Sequence, residues 1–248
     1  GINVQSLKSE NFAEVLDLLG ASTYLDIDQF AEDANEAQND LQNPNRLVGE
    51  GDKFKYNYNL FANILNGFAQ AQFRYNKLEF YVSGSFTSTQ YQREGLYQNG
   101  AFPDNSAGKG EKLNFTGFGA KGGLTYKISG KHLLNINSGY VSKAPSLRNT
   151  YSNSRENQNV VPNISEEKIG SVDASYIFRS PIIKAKLTGY YTKIRDANEI
   201  SFFFADGIGG DNTAFVQEIL QGIDKIHLGG ELGVEAQVTP TIKLKGAK

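Results

Sequence analysis

The chain has 248 residues, a net charge of -2, 39% hydrophobic residues and a mean hydropathy of -0.43. No run approaches the ~18 apolar residues a spanning helix needs, which excludes a helical membrane protein but not a β-barrel, where only alternate residues face lipid. The 25 Lys and Arg are scattered, giving no basic field for nucleic acid, and the absence of cysteine removes disulfides, thiolate chemistry and Cys-based metal sites.

Residues 1–52 read differently from the rest. Ser9 is placed to cap a short helix with Phe12, Val15, Leu16 and Leu19 on one face and Gly20 at its end. An acidic stretch follows, with Asp26, Asp28, Glu32, Asp33, Glu36 and Asp40 against Arg46, and Asn43-Pro44-Asn45 closes it with a turn. The stretch admits a Ca²⁺ or cationic-partner site, but it lacks EF-hand spacing and glycine, so a solvated loop face is expected.

From Phe61 the period becomes two. Phe61, Leu65, Ala69, Ala71, Phe73 and Tyr75 share one face, and Leu78, Phe80, Val82, Gly84 and Phe86 continue it beyond a turn at Asn76. Phe118 to Tyr126 pairs in the same way with Leu134, Ile136 and Tyr140 across Ser129-Gly130-Lys131. Val172 to Phe178 pairs with Ile183 to Tyr191 across Ser180-Pro181, and Ile226 to Val238 leads through Thr239-Pro240-Thr241 into a further strand. The opposite faces carry Gln, Asn, Ser, Thr and charged residues.

None of these apolar faces holds a charge over its centre, as expected of a surface where a midplane Arg or Lys costs roughly 2–4 kcal/mol. Connections alternate between short turns and long polar segments at 89–112, 141–167 and 195–222. Antiparallel spanning strands place every second connection on one side, so short turns are expected in the periplasm and long loops outside. A soluble β-sandwich also alternates, but several of these runs reach the ~9–11 residues that cross a bilayer. The expected fold is an all-β antiparallel transmembrane β-barrel of about eight strands from a larger barrel. Residues 1–52 are expected as an extracellular loop region with a short helix, and 53–248 as barrel strands and loops. The chain starts without an initiator Met or apolar leader and stops inside a strand pattern, so a fragment is expected.

Three constellations resemble chemical sites. Gly117-Phe118-Gly119-Ala120-Lys121-Gly122 matches the GxGxxG dinucleotide fingerprint, but strand alternation runs through it and no helix pattern follows. His227, Glu231 and Glu235 would stack on a helix, whereas on a strand successive members lie about 13 Å apart. Glu166 and Glu167 point to opposite faces, a poor acid/base pair. Catalytic, cofactor-binding and metal residues are therefore expected to be absent, and the protein is not expected to be an enzyme.

The run Tyr140-Val141-Ser142-Lys143-Ala144-Pro145-Ser146, followed by Pro162-Asn163-Ile164-Ser165-Glu166-Glu167-Lys168, resembles the barrel of a TonB-dependent outer-membrane receptor. In that family an aromatic-x-x-(Lys/Arg)-Ala-Pro-Ser segment ends one strand and a Pro-Asn-x-x-x-Glu-Lys segment starts the next. The acidic loop and Asn43-Pro44-Asn45-Arg46 are reminiscent of receptors from Bacteroidota, including the SusC-like branch. The resemblance implies a 22-stranded barrel around an N-terminal plug, in the bacterial outer membrane, taking up a bulky nutrient (glycan, siderophore or peptide) through TonB. It implies outer-membrane lipids, TonB and a surface-exposed lipoprotein as partners. A structural subunit of a larger envelope assembly, or a small complete eight-stranded barrel, are the alternatives.

Overall fold

A computed structural model describes residues 1–31, 33–205 and 214–247, with only the backbone of Ala214 and Phe215. The strands in chain order are β1 (Ile2–Glu14), β2 (Tyr24–Leu25), β3 (Leu47–Val48), β4 (Lys53–Tyr75), β5 (Leu78–Gly95) and β6 (Gly108–Lys109). They continue with β7 (Leu113–Lys127), β8 (His132–Lys143), β9 (Glu167–Arg179), β10 (Ile183–Ala205), β11 (Ala214–Gln237) and β12 (Lys243–Ala247). Nine of them form one antiparallel ladder in the order β1-β4-β5-β7-β8-β9-β10-β11-β12, with β6 on β5 and β2-β3 a separate pair. The sheet is open, with β1 and β12 as its edges. Among the described residues no helix is long and apolar enough to cross a membrane.

Register places the apolar parities on one surface. Val82 lies opposite Gly122 and Ala71, Phe86 opposite Phe118 and Gly67, and Tyr176 opposite Leu134 and Leu187. Phe73 and Phe80 stack at 4.9 Å on this face, and Phe86 meets Phe118 edge-on at 5.4 Å. Val82, Phe118, Leu187 and Leu228 are all exposed, as lipid-facing residues of a barrel are. Tyr75, Tyr126 and Tyr176 stand exposed near the short turns, in the place of an interfacial aromatic girdle. The apolar run on β5 ends at Phe86, since Ser88, Gln90, Gln92 and Glu94 follow on the same face. Nine residues at ~3.3 Å each, tilted by about 40°, span roughly 23 Å, close to the ~25 Å band of outer-membrane barrels. Beyond it β5 runs on to Gly95 as an extramembrane extension.

The short turns lie where expected. Asn76, in the left-handed region at φ 51°, joins β4 to β5 with Lys77, a conformation Asn tolerates better than most residues. The glycine run 117–122 lies wholly inside β7, with no helix after it. Its physical role shows at neighbouring Gly123, where a Cβ would fall 2.3 Å from the ring of Tyr81, its cross-strand partner. The missing side chain lets a tyrosine lie across the strand.

Two expectations are corrected. Residues 2–14 are a strand, not part of a helix, and they pair with β4 from Ile2 opposite Gly67 to Glu14 opposite Lys53. The ladder with β4 overrides the helical spacing of Phe12, Val15, Leu16 and Leu19, and Gly20 (φ 92°) serves a turn after Leu19 (φ 51°). The connection between β1 and β4 is therefore 15–52, and β1 brings the ladder to nine strands. Residues 195–222 are not a long loop: β10 and β11 stay paired out to Ala205 and Ala214. Register shifts between Ile194 and Glu199, with Asp196 at φ 57° and Gly222 at φ 65°, absorb the polar residues. Residues 206–213 and Glu32 of the acidic stretch lie outside the described residues.

Val82→Lys, at the centre of the lipid-facing band of β5, is expected to destabilise the protein folded into lipid vesicles by about 2–4 kcal/mol. Ser83→Lys on the opposite face should be near neutral in the same denaturant titration.

Candidate functional site

The three segments on the long-loop side, 15–52, 96–112 and 144–166, pack on one another and on the extensions of β4 and β5. The fastening is largely polar. Asp26, 2% exposed, pairs with Arg46 and accepts from Asn39 Nδ2 (2.8 Å) and the Lys55 amide (2.9 Å). Arg46 lies over the Tyr97 ring at 4.5 Å and donates to Tyr97 Oη (3.0 Å) and the Lys53 carbonyl (2.9 Å). Asp40, 4% exposed, accepts from the amides of Gln42 and Gln98 and from Asn43 Nδ2. The acidic stretch is thus not a wholly solvated face. Two of its carboxylates are internal staples, and removing one partner of such a buried pair is expected to be strongly destabilising.

Arg93 joins the other two segments. It is 1% exposed, donates Nε to the Ser154 carbonyl and Nη1 to the Ser106 carbonyl (both 2.8 Å), and lies 5.2 Å from the Tyr58 ring. Burial pushes its guanidinium down to about 10 and the Tyr151 hydroxyl up to about 12, since both charged forms lose water. Gly95 permits the contact, because a Cβ there would fall 1.7 Å from the Ser106 carbonyl oxygen. The polar segment expected at 89–112 begins later than expected, because β5 runs on to Gly95 and carries Arg93 on the same face as Tyr91. What sequence could not supply was the pair of carbonyls that meet Arg93.

The segment 143–168 has a mechanical role. β8 ends at Lys143, which pairs with Glu167 at 3.2 Å as the first rung of β9. Tyr91 Oη donates to the Pro145 carbonyl (3.1 Å), and Ser146 caps the 3-10 turn Leu147–Asn149. Ala144, Leu147 and Ile164 pack on a small core of Ala62, Tyr91 and Phe115. Glu166 turns the other way and accepts from the Thr116 amide (2.9 Å).

Two adjoining clefts remain. One, of about 560 Å³, lies between β1, β4, β10 and residues 147–155, with Leu7, Tyr58, Leu60, Tyr151, Ile200 and Phe202 among its walls. Lining from both β1 and β10 shows that the sheet curls around this segment. The other, of about 400 Å³, lies between all three segments and is walled by Tyr24, Asp28, Phe30, Glu36, Tyr56 and Glu156. Arg155 borders both clefts and lies over Tyr56 at 5.2 Å. Burial, with Asp28 nearby, raises the Glu156 carboxyl above its ordinary range. Both volumes suit a small molecule or part of a larger one.

No group of His, Cys, Asp and Glu among the described residues could hold a metal ion. His227, Glu231 and Glu235 lie along the concave face of β11 opposite Thr192, Thr188 and Lys184, and Glu235 is shared by Lys184, Lys243 and Lys245. His132 is on the other surface, hydrogen-bonded to Tyr176.

Arg93→Met should raise amide hydrogen exchange at least tenfold in 96–112 and 144–166, since each buried carbonyl left unpaired costs about 1–3 kcal/mol. Ladder amides of β5 below Phe86 should keep their protection.

Among solved structures, the chain resembles the siderophore receptor PirA from Acinetobacter baumannii (11% identity, 96% of this chain and 40% of that chain, TM-score 0.46). It also resembles PirA from Pseudomonas aeruginosa (10% identity, 78% and 43%, TM-score 0.46) and the copper transporter OprC (16% identity, 77% and 37%, TM-score 0.43). It thus spans 37–43% of the length of these proteins. No curated protein sequence matches it. The family model described as TonB dependent receptor-like, beta-barrel matches residues 5–246, and the chain belongs to that family.

Proposed function

We propose that this chain forms part of the barrel wall of an outer-membrane receptor that takes up a bulky nutrient by TonB-coupled transport. The supporting observation is the polarity of the sheet. All described short turns lie at one end, and at the other three segments pack into a cap enclosing clefts of about 400 and 560 Å³ on the concave side. In this reading the lipid-facing surface contacts outer-membrane lipids, the capped end faces outward with residues 15–52, and the clefts contribute to ligand capture. A glycan, siderophore or peptide is the cargo, and TonB acts through a plug region. The acidic first loop and Asn43-Pro44-Asn45-Arg46 suit a Bacteroidota, SusC-like member partnered by a surface-exposed lipoprotein.

Deleting TonB in the native host should abolish uptake of the nutrient while the barrel still assembles, checked by heat-modifiable migration in the outer-membrane fraction. Uptake that persists at the parental rate would refute the coupling and favour a structural subunit.

A further inference from the structure

The cleft of about 400 Å³ between the three long segments has walls of a particular chemistry. Tyr24, Phe30 and Tyr56 supply aromatic surface, and Phe30 is 95% exposed. Asp28, Glu36 and Glu156 supply carboxylates, while Asp26 and Asp40 are already consumed by the staples. The protein itself seats a cation here, because the Arg155 guanidinium lies over the Tyr56 ring at 5.2 Å beside Glu156. Lys55, also a wall of this cleft, lies over the Phe54 ring at 5.4 Å, and next door Arg46 lies over Tyr97 at 4.5 Å, so the three carboxylates of the walls face two cations, Lys55 and Arg155. These rings thus already hold guanidinium and ammonium groups, and Phe30 offers a further face with no cation over it among the described contacts.

The surroundings favour the same sign. Residues 15–52 carry nine carboxylates and one cation, Arg46, whereas the whole chain is only -2. Such a local excess concentrates cations at the mouth of a cleft and raises their association rate. A metal ion does not suit the site: the space is that of a small molecule, and no metal-holding cluster is present among the described residues. Aromatic faces backed by carboxylates match an organic cation, through cation–π contact and charge pairing.

We propose that this cleft binds an organic cation bearing amine or guanidinium groups, with Phe30 and Tyr24 offering ring faces and Asp28 and Glu36 offering carboxylates. The inference rests on the reading of the capped end as the ligand side. It adds the charge class of what is captured there.

The test is titration calorimetry on the intact receptor in detergent, with no TonB present, so the outcome is independent of the transport reading. Spermidine and a Lys-Arg-Lys tripeptide are the probes, separating a free polyamine from a basic peptide side chain, with Ca²⁺ and a neutral disaccharide as comparisons. At least one cationic probe is expected to bind, weakening tenfold or more in Asp28→Asn/Glu36→Gln and several-fold in Phe30→Ala. The Asp28→Asn change keeps a side-chain oxygen where the Asp28 carboxylate accepts from the Phe30 amide, and Phe30 is too exposed to be needed for folding. Binding of both probes that is absent at millimolar concentration, or unchanged in the variants, would overturn the proposal. So would Ca²⁺ binding that the carboxylate variant abolishes and Phe30→Ala leaves intact.

Discussion

Hydrocarbon offers a backbone amide no hydrogen-bond partner, and most of this architecture follows from that constraint. Within the lipid-facing band the interior strands, from β4 across to β11, answer it through a neighbour on each side, while β1 and β12 are paired on one side as the edges of the sheet. Pairing fixes register, and register fixes parity, so one side of β5 over nine residues carries Leu78, Phe80, Val82, Gly84 and Phe86 and the other Glu79, Tyr81, Ser83 and Ser85. Consecutive strands must run antiparallel, and the chain can then turn tightly at one end, as at Asn76, while the other end is free to elaborate.

Elaboration at that end uses a different physics. Above the band the strands leave lipid but stay paired, and β4 and β5 become a scaffold for three segments. The apolar core there is small, built on Ala62, Tyr91 and Phe115. Cohesion comes instead from buried charge and carbonyls: Asp26 with Arg46, Asp40 at the amide of Gln98, and Arg93 between Ser106 and Ser154. Such polar fastenings are directional, so they specify one arrangement of the segments more sharply than apolar packing would, and they leave clefts open where no side chain is required to fill space.

The barrel part was legible in sequence because lipid acts on every second residue alike, so the faces Phe61 to Tyr75 and Leu78 to Phe86 could be read without knowing their partners. β1 was misread because Phe12, Val15, Leu16 and Leu19 carry a local helical spacing, while the pairing that makes them a strand and its outgoing turn lies some fifty residues away. The outer parts of β10 and β11 were misread because Arg195, Asp196 and Glu199 look like loop residues. In the structure they sit at register shifts, and Lys193–Asp224 (2.8 Å) and Glu199–Lys225 pair across the strands. The candidate site was legible only as composition. The acidic stretch stood out, but which carboxylates are spent internally and which face a cleft depends on Arg46, Asn39 and Gln98, whose positions only the folded loops define. The family-like segment 143–168 was visible as a motif, and its meaning as the rung Lys143–Glu167 and the seat under Tyr91 was not.

The central claim is that β5 crosses the bilayer with alternate faces and then continues beyond it. Because the chain has no cysteine, single cysteines at successive positions from 80 to 94 of the intact protein in lipid vesicles can carry spin labels. Oxygen and a water-soluble nickel chelate then report which positions face lipid. The account expects period-two oxygen accessibility with maxima at 80, 82, 84 and 86, and outward positions that turn water-accessible from 88 onward. Uniform water accessibility of positions 80–86, or a period near 3.6, would contradict it.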